Sequence, residues 1–358
     1  SAAPRPDWPK PSAASANTPR PDPAMASAPG FDPRPAMSLV LLACLPGLLV
    51  QLWHYGFGTL LQLALAIPCA LACEALVRRL RGQHVAPDEA LFGRPWLAEG
   101  SALVTATLLA LALPPYCPAW LTLLACAAAI LLGKSVFGGF GRNPFNPAML
   151  GFALALLAFP VQMAQWPVAG QPHGLLAALQ QVLGLGSGLV DGWSQATVLD
   201  SLRHNDRLTI DELFARNAAF GHVGGRGAEW VNLAFLVGGL WLLQRRVIRW
   251  HAPVGLIAGL FVASLLGWNG SGSDSNGSPL LHLFSGATML GAFFIVTEPV
   301  SCPSADRARL AFGLGVGVLV YVIRTWGGYA DGMAFAVLLM NLAVPALERW
   351  AQRARPAP

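Results

Sequence analysis

The chain has 358 residues, of which 54% are hydrophobic and only 11% charged, and it carries a formal net charge of +5. Such a composition excludes an ordinary soluble globular domain, and the length suffices for about ten membrane spans of roughly 17–25 residues with their loops. The excess of basic residues then reads as charge retained at one membrane face, not as a nucleic-acid surface.

In chain order, residues 1–37 are rich in Pro, Ala and Ser and read as a disordered cytoplasmic N-terminal tail. Apolar segments follow at about 38–56, 58–77, 101–115, 118–133 and 147–160, a first set of five within 38–160. After a long polar loop at 161–228, a second set lies at about 229–244, 252–268, 280–297, 310–325 and 331–347, within 229–348. Residues 349–358 form a second short tail. Threading the segments alternately puts the 23 Lys and Arg residues on one side, except Arg203, Arg207, Arg216, Arg226 and Arg324. By the positive-inside rule both termini are cytoplasmic and the 161–228 loop is external. Its apolar stretches, Leu175–Leu183 and Val198–Leu202, predict that it folds down onto the membrane helices.

The two sets echo each other. Phe137-Gly138-Gly139-Phe140 precedes the fifth segment and Trp326-Gly327-Gly328-Tyr329 precedes the tenth. Five spans per half make the repeats inverted across the membrane. The short third and eighth segments, interrupted by Gly and Pro, are expected to be broken helices meeting near the midplane. The predicted fold is therefore an all-α polytopic membrane protein of about ten helices in two inverted five-helix repeats.

The six cysteines show no CxxC and no zinc or iron–sulfur spacing with His, and Cys69 and Cys73 read as small packing residues. Glu74, Glu298 and Asp331 lie near span ends, where an acid is either cheaply solvated or part of an ion path. Asn143-Pro144-Phe145-Asn146-Pro147 reads as a turn in which Asn146 caps a helix with Pro147 at its first position; a polar pocket for an ion or a bound cofactor is the alternative for Asn143 and Asn146.

Two near-identical tetrapeptides concentrate the chemistry. Ser194-Gln195-Ala196-Thr197 sits in the long loop, preceded by Asp191, and Ser285-Gly286-Ala287-Thr288 sits inside the eighth apolar segment. A Ser or Thr hydroxyl can be esterified to a phosphate, although most such loops are solvated turns. The segment Asp191 to Asp200 resembles the flavinylation motif of the RnfD/NqrB family, which spans Rnf-type complexes and the sodium-pumping NADH:quinone reductase. Gly138 to Met149, Ser285 to Phe294 and Arg324 to Gly332 resemble the same family, so the likeness runs from about 38 to 350. Gln195 stands where the general motif has Gly, and Val198 where Pro is frequent.

The resemblance implies a scaffold like that of the urea transporters and FMN joined covalently through its phosphate to Thr197, with Asp191, Ser194, Gln195 and Ala196 completing the motif. It also implies a non-covalent riboflavin, whose ligands the sequence does not place. Thr288 matches the bare tetrapeptide better, but an anionic flavin phosphate is hard to deliver into an apolar span. Ser285 and Thr288 are instead expected to allow close packing or to line a flavin or ion cavity. The implied setting is the bacterial inner membrane, with loop 161–228 periplasmic. There the chain would be one component of a complex coupling ferredoxin and NAD(H) chemistry to Na⁺ or H⁺ translocation. The expected partners are the other Rnf subunits, above all a periplasmic FMN-bearing one, and a flavin transferase. The same scaffold would also suit a passive solute channel or a structural component for assembly.

Overall fold

The computed structural model describes residues 33–82, 100–185, 194–205, 208–273 and 275–353. The tail at 1–32, Asp191 and the last residues from 354 lie outside them. Four helices are long and apolar enough to cross a membrane: Pro35–Tyr55, Gly58–Leu80, Asp306–Trp326 and Met333–Arg353. Numbering in chain order, α1 is Pro33–Tyr55, α2 Gly58–Leu80, α3 Ser101–Ala112 and α4 Ala119–Ala128, which runs on as a π-helical stretch Ala129–Ser135. Then come α5 Pro147–Ala158, α6 Pro160–Ala164, α7 Leu175–Leu183, α8 Val198–Arg203 and α9 Ile210–Arg216. The second set is α10 Ala228–Gln244, α11 His251–Leu266, α12 Pro279–Leu283, α13 Thr288–Leu290 with π-helical Gly291–Ile295, α14 Asp306–Trp326 and α15 Met333–Arg353. A two-residue strand β1, Trp166–Pro167, pairs antiparallel with β2, Ser194–Gln195. Helix α1 thus begins inside the stretch read as tail, at Pro33.

Every apolar segment expected from the sequence carries a helix; the third and the fifth, each of 12 residues, are short, and the eighth is interrupted. Helix α3 is a single unbroken piece of 12 residues. At 1.5 Å per residue it rises about 18 Å, well short of the ~30 Å hydrocarbon thickness. Pro114 and Pro115 end it, because the residue before a proline avoids the α region, and Leu113 accordingly turns extended at ψ 151°. The eighth segment is interrupted: α12 stops at Leu283 and the chain resumes helical form at Thr288 after Gly286 in the left-handed region, φ 60°. Only the eighth is broken in its middle; the third is short, followed by buried non-helical chain from Leu113 to Cys117.

Small residues set the closest helix contacts. Gly255 and Gly259 of α11 face Gly313 and Gly317 of α14, each with a neighbouring backbone where a side chain would stand. Two G-x-x-x-G runs therefore face one another, the arrangement by which helices approach in a medium that gives no hydrophobic drive between them. Helix α1 lies on α10, where Gly47 leaves room for the Phe235 ring.

The loop folds onto one end of the bundle, as its apolar stretches predict. Ala178 and Val182 of α7 pack with Tyr116, Leu61 and Leu65. Val198 and Leu199 of α8 pack with Leu213, Ala219, Phe220 and Leu281. Helix α9 is fixed by a capping box between Thr209 and Glu212; the Thr209 backbone N–H, bonded to Glu212, holds that carboxyl below its ordinary value.

Candidate functional site

The tetrapeptide in the loop ends at a helix start. Thr197 is the N-cap of α8, at φ −67° and ψ 162°, and its Oγ1 accepts a hydrogen bond from the Asp200 N–H at 3.2 Å. A threonine suits that place because its hydroxyl satisfies a donor that the first turn leaves open. Gln195 and Ser194 are held by backbone pairing, Gln195 opposite Trp166 and Ser194 opposite Pro167. Ala196 is exposed and Thr197 half-buried, so the hydroxyl is reachable from the loop side. Val198 occupies the first helical position, where proline is favoured, which gives a physical reason for the residue that is frequent there in the resembling motif.

The second tetrapeptide is packed away. Thr288 is fully buried; its Oγ1 donates within a 2.9 Å reach of the His282 and Ser285 carbonyls and accepts from Arg324 at 3.0 Å. Ser285 Oγ accepts from the Gly225 N–H at 3.1 Å. Arg324 Nη1 also donates to the His282 carbonyl at 2.7 Å, and Arg324 pairs with Asp331 at 3.1 Å. Asp331 accepts from the Ala287 N–H at 2.8 Å, tying the break in the eighth segment to the loop before α15.

The two tetrapeptides meet around one cavity of about 290 Å³, close to the lower end of the ~300–1,000 Å³ usual for small-ligand sites. Gln195, Ala196 and Thr197 line it from the loop, and Ser285, Gly286 and Ala287 from the break. Its apolar wall comes from Leu111, Phe152, Leu156, Val231, Phe235 and Leu290, joined by the aromatic residues Tyr55, Trp166 and Tyr329. Arg226 and the carboxylates Asp200 and Asp331 complete it; among the described residues Arg226 is its one cationic lining side chain, and it is exposed. Arg226 is set by a tight turn: Glu229 accepts from the His222 and Val223 N–H groups at 3.0 and 3.1 Å, and Gly225 lies against Val198.

Asn143 and Asn146 do not line this cavity. Asn146 caps α5, accepting from Met149 N–H at 3.1 Å, and its amide donates to the Ile295 carbonyl. Asn143 donates to Glu298 at 3.2 Å. They belong to a polar network at the opposite end of the bundle, joined by Asn341, which donates to the Ser301 carbonyl at 3.0 Å. Nearby, Lys134, which the sequence places just outside the fourth segment, is buried in the π-helical stretch. Its Nζ donates to Glu74 at 3.0 Å and Ser101 at 2.7 Å. The sequence reading missed Lys134, Gln51 and Arg226; for Gln51 the available signal was a lone amide in an otherwise apolar span.

The model of the NQR2, RnfD, RnfE family matches residues 29–356. The chain belongs to that family. It is 61% identical over 312 residues to the D component of the ion-translocating oxidoreductase complex of Pseudomonas aeruginosa, an alignment covering 87% of this chain and 88% of the relative. The protein of that name in Ectopseudomonas mendocina is 61% identical over 314 residues, with the same coverage of both chains. That of Citrobacter koseri is 45% identical over 328 residues, covering 87% and 91%. Membership thus rests on nearly the whole span, loop and helices together.

Proposed function

We propose that this chain is the flavin-carrying membrane subunit of an Rnf-type ion-translocating oxidoreductase complex, with FMN esterified through its phosphate to Thr197. The observation that carries the reading is the position of the Thr197 hydroxyl: half-buried, on the wall of a cavity that both tetrapeptides share. The cavity's residues fit the group. Its apolar wall suits a planar heteroaromatic ring, and Arg226 supplies a positive charge for a phosphodiester at the loop end. When bound, FMN supplies the capacity to accept and pass electrons; the chain's own residues hold it, exclude water and set its surroundings.

Thr288 is the weaker acceptor for a reason of chemistry as well as burial. Its hydroxyl proton is engaged by two carbonyls and its oxygen by Arg324, and no transferase reaches it without opening the Arg324–Asp331 knot. In the complex the protein couples ferredoxin and NAD(H) chemistry to movement of Na⁺ or H⁺, with both termini cytoplasmic, the 161–228 loop periplasmic and the two halves as inverted repeats. The loop flavin exchanges electrons with a periplasmic FMN-bearing partner, and a riboflavin is held without a covalent bond.

The test is ultraviolet in-gel fluorescence of the denatured protein, co-expressed with a flavin transferase, as wild type, Thr197→Val and Thr288→Val. A band in wild type and Thr288→Val that is missing in Thr197→Val is the expected result. A dark wild-type band, in a host that flavinylates other targets, sinks the proposal.

A further inference from the structure

Among the described residues that line the cavity, one carries a buried polar side-chain atom without a hydrogen bond. Gln51 lies in α1, one helical turn before Tyr55, whose ring meets Trp166 of the loop, and is 4% exposed. Its Nε2 donates to the Leu111 carbonyl at 3.1 Å. That carbonyl is available because the residue four positions on is Pro115, which has no N–H to offer. The bond fixes which way the amide faces: turned over, its oxygen would meet another oxygen. The Gln51 Oε1 is therefore held in place, and it is buried with no hydrogen-bond partner among the described residues.

A buried amide oxygen left unpaired costs about 1–3 kcal/mol, and native interiors rarely keep one. Gln51 belongs to the cavity lining, which also holds the apolar residues Leu111, Ala112, Phe152 and Phe235. A ligand seated there would be flat and mainly apolar, with a single N–H donor at its inner edge. Oxidised isoalloxazine has one N–H, at N3, on the edge away from its dimethylbenzene ring. We infer that Gln51 is a positioning residue for the flavin ring, its Oε1 accepting a hydrogen bond from the isoalloxazine N3–H. The inference rests on the reading of Thr197 as the FMN-bearing residue. Thr197 and Arg226 then hold the phosphate end at the loop, and Gln51 fixes the ring's inner edge one turn deeper. The same bond selects a flavin over a ring that presents only acceptors at that edge.

The experiment uses the assembled complex, co-expressed with its flavin transferase, as wild type, Gln51→Leu and Gln51→Met. Denaturing-gel fluorescence counts covalent flavin, and the visible absorption and reductive titration of the folded complex report the ring's surroundings. The expected result is wild-type fluorescence in both variants, with a changed flavin band shape and midpoint potential. Raman bands sensitive to hydrogen bonding at N3–H, compared in wild type with those of FMN in water and in an aprotic solvent, give a reading that needs no variant to fold. A bonded N3–H is expected there. Bright gel bands with unchanged folded spectra, or an unbonded N3–H in wild type, overturn the role of Gln51 alone; the former includes the case in which Gln51 meets a ribityl hydroxyl instead. A dark wild-type band overturns both this role and the Thr197 reading beneath it.

Discussion

Ser194–Thr197 and Ser285–Thr288 carry almost the same residues, and Gln195–Thr197 and Ser285–Ala287 line the same cavity, yet their last hydroxyls have opposite fates. In the loop, Thr197 caps a short helix, its oxygen accepting from Asp200 at 3.2 Å and its proton bonded to none of the described residues. In the bundle, Thr288 gives its proton to carbonyls and takes a bond from a buried arginine. The lesson is that the same four residues do not fix the state of the last hydroxyl; the hydrogen bonds around it do. The largest expected effect follows. Thr197→Val abolishes the covalent flavin and leaves the helical core intact, because only a loop cap is lost. Thr288→Val keeps the flavin and loses stability, about 1–3 kcal/mol, since Arg324 and the break at Phe284–Ala287 lose a buried partner. Gel fluorescence and thermal unfolding in detergent, measured on both variants, separate the two effects. Loss of flavin in Thr288→Val with unchanged unfolding would invert the comparison.

The buried cations extend it to the two ends of the bundle. Arg324 holds Asp331, Thr288 and the His282 carbonyl, whereas Lys134 holds Glu74 and Ser101. Arg324→Met strands several groups and is expected to cost about 3–5 kcal/mol, the scale of breaking a buried pair. Lys134→Met costs less, about 1–3 kcal/mol, because Arg78 stays on Glu74 at 3.4 Å. Detergent melting curves rank the two, and the reverse order would show that the break in the eighth segment is not held from Arg324.

Much of this was legible in the residues. Ten apolar runs gave the helices, and Leu175–Leu183 and Val198–Leu202 gave the docking of the loop. Asn146 before Pro147 gave its cap, because capping is local and side-chain type decides it. What stayed hidden depends on partners far along the chain. Lys134 looks like an ordinary charge at a span end until the chain brings Glu74 and Ser101 to it. The early stop of the third segment, by contrast, was itself readable, since 101–113 holds no Gly or Pro and Pro114-Pro115 stand at its end. Arg226 reads as one more external arginine, since its place at the cavity depends on a turn organised by Glu229. Even the facing G-x-x-x-G runs, readable one at a time, say nothing of their pairing until α11 lies on α14.

A smaller effect tests the loop alone. The Glu212 carboxyl sits below its ordinary value because the Thr209 N–H bonds its charged form. A depressed carboxyl adds stability above its unfolded value and loses it as pH falls through the folded one. Local opening of α9, followed by hydrogen exchange, should therefore rise as pH drops below the ordinary carboxylate range, and Glu212→Gln should flatten that dependence. A wild-type profile already flat across that range would remove the capping box from the account.

The smallest expected effect comes from the residue after Thr197. Val198→Pro places proline where its missing N–H is no loss, since the first N–H groups of a helix have no intrahelical partner. Thr197, at ψ 162°, already has the extended backbone that a residue before proline requires. Restricting the unfolded chain contributes about 0.4–1 kcal/mol. Against this, the buried Val198 side chain gives up part of its packing on Leu199, Phe220 and Leu281. The two terms nearly cancel, so melting should move little and the flavin band should keep its strength. A large loss of flavin in Val198→Pro, with melting unchanged, would mean that the transferase reads the side chain after Thr197 directly and not merely the shape of the turn that presents it.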